Sequence, residues 1–137
     1  MYQFYFLSIV INICLSVLLV PEIFTSRFPS FSAFVIEQCG KADRILLFGI
    51  TALGVGVFKL LSPVYGDVPV FGDFLPALGN IGGGGILLLE NLEGAQNKEI
   101  PLIRILHTLL LDRKNLWGYG CLIAGILHFF LPTMIFF

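Results

Sequence analysis

Four runs of sixteen or seventeen residues, Tyr5 to Val20, Ile45 to Leu61, Phe74 to Leu89 and Leu116 to Leu131, hold one lysine and one histidine between them and no other basic or acidic side chain. Each is close to the roughly 20 apolar residues that a helix needs to cross a bilayer. Prolines stand just past three of them, at Pro21, Pro63 and Pro132, where a missing N–H stops a helix. Across the 137 residues, 57% are hydrophobic and 12% charged, against about 45–50% and about 25% in a soluble domain. That balance leaves too little polar surface for a water-soluble globule and excludes disorder. A net charge of −1 offers no basic patch for phosphates, which excludes nucleic acid as a partner.

The remaining charges are distributed unevenly. Arg27, Lys41 and Arg44 lie between the first two runs, and Lys98, Arg104, Arg113 and Lys114 between the last two. The segment from Val64 to Asp73 has two aspartates and no Lys or Arg. The positive-inside rule then puts both basic loops in the cytoplasm and both termini outside, in what we read as a bacterial inner membrane. The expected fold is all-α: a polytopic four-transmembrane-helix bundle forming one membrane domain over residues 1–137. The start of the chain lacks the basic n-region and small-residue cleavage site of a secretory signal, so the first run is read as retained. Pro29 to Gly40 and Glu99 to Leu111 read as short helices, each with a proline near its start.

Shifting the chain by 69 positions aligns Asp43–Pro63 with Asp112–Pro132 without a gap, with seven identities in 21 positions. This points to a parallel two-fold internal repeat, with halves at about 1–63 and 70–132. Asp43 with Arg44, and Asp112 with Arg113, begin the paired helices. They read as cytoplasmic anchors, the carboxylate at the helix start and the guanidinium at the headgroups. Gly49 and Gly56 lie seven apart, as do Gly118 and Gly125, so each pair keeps to one helix face and admits a close neighbour. Gly79 and Gly83 make a GxxxG pair beside the block Gly82–Gly85, which is read as a tight crossing rather than an unwound segment.

Chemistry has few places to reside. Cys14, Cys39 and Cys121 show no CxxC spacing and read as packing residues. No metal site, cofactor site or catalytic set can be assembled, so the chain is expected not to be an enzyme on its own. The candidate polar site is Lys59, Asp67, Asp73, Asn80 and His128, toward the outer ends of the helices. Lys59 and His128 occupy equivalent repeat positions, one turn before Pro63 and Pro132. A lysine so placed is expected to snorkel to water. Buried beside His128 it would instead suit proton-coupled work.

The stretches Gly56-Val57-Phe58-Lys59-Leu60-Leu61-Ser62-Pro63 and Ala124-Gly125-Ile126-Leu127-His128-Phe129-Phe130-Leu131-Pro132 resemble the first helix of DoxX-like membrane proteins. Gly79 to Leu89 is similar to that family's second helix, with Asn80 where the family has a glutamate. The resemblance implies a four-helix bundle associated with quinone-linked membrane redox complexes. The functional expectation is a DoxX-like subunit of an envelope complex, without autonomous catalysis, surrounded by lipid and paired with itself or other membrane proteins. Two alternatives stand beside it: a small transporter or channel with an outward-facing polar site, and a quinone-linked redox component.

Overall fold

A computed structural model of the chain describes residues 2–61, 74–93 and 101–130. Within them the structure is helical: α1 (Tyr2–Leu19), α2 (Pro21–Arg27), α3 (Pro29–Cys39), α4 (Ala42–Leu61), α5 (Phe74–Glu93), α6 (Pro101–Leu106), a π-helical turn (His107–Leu111) and α7 (Lys114–Phe130). Pro21 and Pro29 occupy the first turns of α2 and α3, where the absent N–H has no carbonyl to meet. Pro21 therefore starts a new helix rather than only ending the first, and α2 leaves α1 at 96°. At the π turn the Asp112 N–H reaches back to the His107 carbonyl at 3.1 Å, a one-residue widening that lets the chain turn into α7.

α5 packs along α4, and α7 along α1. Glycine sets both distances. A Cβ on Gly84 would lie 2.8 Å from the Gly49 carbonyl oxygen, and one on Gly56 would lie 2.9 Å from the Ala77 carbonyl oxygen. At the other seam, Gly118 lies against Leu19 and Val20, and Gly125 against Ile9, Asn12 and Ile13. The contacts Gly49–Leu88 and Gly118–Leu19, like Gly56–Ile81 and Gly125–Asn12, are related by a shift of 69 residues. The core between the helices is formed by Leu15, Leu19, Ala52, Val55, Ile86, Leu87 and Cys121, with a smaller cluster of Val17, Phe24 and Val35 beside α3. α5 stays helical through Gly82–Gly85.

The expectation of a polytopic bundle of four membrane-crossing helices is corrected here. Among the described residues, α4 alone is long and apolar enough to cross a membrane; the number rises to two if α1 and α2 are taken as one broken span. The physical reasons lie in the elements themselves. In α5, Pro76, Asn80, four consecutive glycines and Glu90 dilute the apolar run. The right-angle break at Val20 turns the chain away from the axis of α1.

Candidate functional site

Lys59 is the last member of the buried stripe on α4, after Gly49, Ala52 and Gly56. His128 ends the matching stripe on α7, after Gly118, Cys121 and Gly125. Spacings of three and four keep each set on one helix face, so the face that the glycines press against a neighbour also carries Lys59 and His128 inward. Both are buried, Lys59 at 3% exposure and His128 at 0%. The Lys59 Nζ stands 2.6 Å from the His128 Nε2. The lysine does not snorkel to water; its amine turns into the protein.

Tyr5, from the first turns of α1, completes this centre. Its hydroxyl donates to the His128 carbonyl oxygen, and its ring lies 4.3 Å from the imidazole, centroid to centroid. The Lys59 Nζ lies 5.1 Å from the same ring's centroid, within reach of a cation–π attraction. Two bases in hydrogen-bond contact need one nitrogen to donate and the other to accept. The contact therefore excludes the state in which both are cationic.

Below the couple, polar groups continue between α1 and α5. The Asn80 Nδ2 donates to the Ser8 Oγ at 2.8 Å, and the Asn12 Nδ2 donates to the Ser8 and Pro76 carbonyls at 3.0 Å each. All three side chains are buried. The Asn12 Oδ1 and Asn80 Oδ1 have no hydrogen-bond partner among the described residues. Asn12 lies against the Cα side of Gly79, where any side chain would collide with its Oδ1. Gly83 faces Leu15 and the Cys121 sulfur, and the Cys121 thiol donates to the Gly79 carbonyl at 3.3 Å. The GxxxG pair thus receives side chains from two helices, α1 and α7.

Tyr5, Ser8 and Asn12 were not among the candidates read from sequence. Their signal was present: Tyr5, Ser8, Asn12 and Ser16 follow spacings of three, four and four in an apolar run, one polar line on one helix face. Of the expected polar site, Lys59 and His128 meet and Asn80 joins them through α1. Asp67 and Asp73 lie outside the described residues.

The expected anchors lie at the other end of the helices. Asp43 and Arg44 are exposed, 3.9 Å apart, and Arg44 also donates to Gln38 at 3.1 Å. Asp112 pairs with His107 at 3.4 Å. With Arg113 and Lys114 it lines an open cleft of about 390 Å³. Lys114 ties the start of α7 to Glu90 of α5 at 2.7 Å. Among the described residues no group of three His, Cys, Asp or Glu side chains is arranged to hold a metal ion.

A protein-family model that carries no functional description matches residues 1–128. A protein of Treponema pallidum (strain Nichols), described as an uncharacterized protein, is 33% identical over 135 residues, 98% of each chain. No solved structure matches the chain. Neither match points to DoxX-like proteins, and that resemblance is corrected accordingly. It rested on glycine, Lys-or-His and proline spacings, which recur readily in an apolar chain with 15 glycines and 7 prolines. The expectation of quinone-linked chemistry loses the resemblance that suggested it.

Proposed function

The chain belongs to the family whose model spans residues 1–128, and we propose that it is a small integral membrane protein of transport type that handles a proton at the Lys59–His128 couple. The observation that carries this reading is the 2.6 Å contact between two buried bases. Such a couple holds its geometry only while one nitrogen offers a lone pair. Gaining a proton at the accepting nitrogen breaks the contact and drives the two groups apart by like-charge repulsion, which is strong in a low-dielectric interior. Protonation thereby becomes movement of α4 relative to α7. The surrounding solvent is lipid. α4 supplies a crossing helix, and its Leu47, Ile50, Phe58 and Leu61 are exposed, as are Leu116, Ile123, Phe129 and Phe130 of α7. The basic start of α4, with Arg44, faces the cytoplasm of a bacterial inner membrane.

The test is proton flux in proteoliposomes loaded with a pH-sensitive dye under an imposed pH gradient. The wild-type protein should dissipate the gradient faster than empty vesicles. Lys59→Gln and His128→Gln, checked for unchanged helicity, should fall to the rate of empty vesicles. Equal rates for wild type and both variants would overturn the proposal.

A second reading, a non-catalytic subunit of an envelope complex, draws on the same exposed apolar faces of α4 and α7. The glycine faces do not serve it, because the structure uses Gly49, Gly56, Gly118 and Gly125 within the chain. Crosslinking in native membranes tests it: a band above the monomer is expected, and monomer alone would count against it.

A further inference from the structure

α3 carries two kinds of surface. Ser32 and Val35 are buried against the helices, while Phe31 is 42% and Phe34 61% exposed. At 100° per residue the two phenylalanines point about a quarter-turn away from that buried stripe. Phe28, between α2 and α3, is 63% exposed. Ser30 and Glu37 occupy the side away from the core. The helix is thus three-sided, with one side on the protein, one aromatic and one polar.

Its place in the chain decides what the aromatic side meets. α3 ends at Cys39, and after Gly40 and Lys41 the membrane-crossing helix α4 begins at Ala42. A segment two residues from the start of a crossing helix sits at the membrane boundary. α2, just before it, leaves α1 at 96°, so the chain turns out of line before α3. Arg27, Lys41 and Arg44 bracket the segment, in the positions where basic side chains meet lipid phosphates.

We infer that α3, with Phe28, forms an in-plane anchor whose Phe28, Phe31 and Phe34 side chains insert at the headgroup–acyl boundary of the membrane that α4 crosses. This rests on the membrane reading above and adds to it a lipid-binding surface separate from the crossing helix. Aromatic and apolar side chains of such helices penetrate roughly 5–10 Å into the boundary. Lipid is the occupant because α3 ends just before the crossing helix, whose early residues Leu46 and Leu47 are themselves exposed, and because Arg27, Lys41 and Arg44 flank it with charges that suit anionic headgroups.

The experiment reads depth by fluorescence. In a Trp117→Phe background, Phe31→Trp and, separately, Phe34→Trp and Leu47→Trp are placed in vesicles of phosphatidylcholine and phosphatidylglycerol brominated at shallow or deep acyl positions. Shallow bromines should quench both α3 tryptophans at least twofold more than deep ones, with Leu47→Trp quenched by bromolipid as the insertion control. If Leu47→Trp is quenched and the α3 tryptophans respond only to aqueous acrylamide, the anchor is overturned and the membrane reading stands. If the α3 tryptophans respond to neither quencher, a second copy of the chain covers them and the anchor is again overturned. If Leu47→Trp escapes bromolipid, the membrane reading fails first.

Discussion

The glycines separate two roles that sequence composition alone does not distinguish. Gly84 lies where α4 and α5 touch backbone to backbone, and an added Cβ would fall 2.8 Å from the Gly49 oxygen and 3.0 Å from the Ala52 Cβ. Neither neighbour is the far end of a flexible side chain, so the helices must separate. Gly84→Ala should destabilise the fold by about 1–3 kcal/mol, the usual cost of overpacking. Gly120 has nothing within 4 Å of an added Cβ, and Gly120→Ala should be neutral or stabilising by up to about 1 kcal/mol through helix propensity. Thermal unfolding of the two variants in detergent checks the pair, and equal melting temperatures would refute the distinction. Lys59 shows the same logic in reverse. Its proximity to Pro63 suggested an escape to water, but its register on the Gly49–Gly56 face turned it inward.

At the scale of the element, Cys39 reports on the end of α3. Burial holds its thiol above the ordinary value of 9.0, with the Arg44 charge opposing. Only the thiolate reacts with alkylating reagents, so a raised value means less thiolate, and slower labelling, than a free thiol at the same pH. At pH 8 maleimide should label Cys39 more slowly in the folded protein than after denaturation, and the folded rate should keep rising above pH 9. A folded rate equal to the denatured one at pH 8 would contradict the burial. The short helices at Pro29 and Pro101 were legible in the sequence because proline at a first turn is a local signal. The π turn at His107–Leu111 was not, because it depends on how the chain must turn to bring Lys114 to Glu90.

For the whole molecule, α1 and α7 run antiparallel, with Tyr5 beside His128 and Leu19 beside Gly118. The start of α1 and the end of α7 therefore share one end, and Lys114 with Glu90 marks the other. In bacterial membranes the protein should remain in the pellet after alkaline carbonate extraction. Release into the supernatant would remove the lipid setting on which the functional proposal depends.

The sequence by itself determined that the described residues are helical and located α1, α3, α4, α5, α6 and α7, but neither α2 nor the π turn. Apolar runs, prolines and glycine spacing are local signals, and helices are built from local hydrogen bonds. It also determined which residues share a face, Lys59 with Gly49 and Gly56 and His128 with Gly118 and Gly125, although Lys59 was expected to reach water. Only the tertiary structure decided that these two bases meet, that Tyr5, Ser8 and Asn12 join them, and that apolar length does not translate into four crossings. Those outcomes depend on which helix lies against which and on the right-angle break after α1. Contacts between residues 69 and 123 positions apart are set by packing of whole helices, which no local signal encodes.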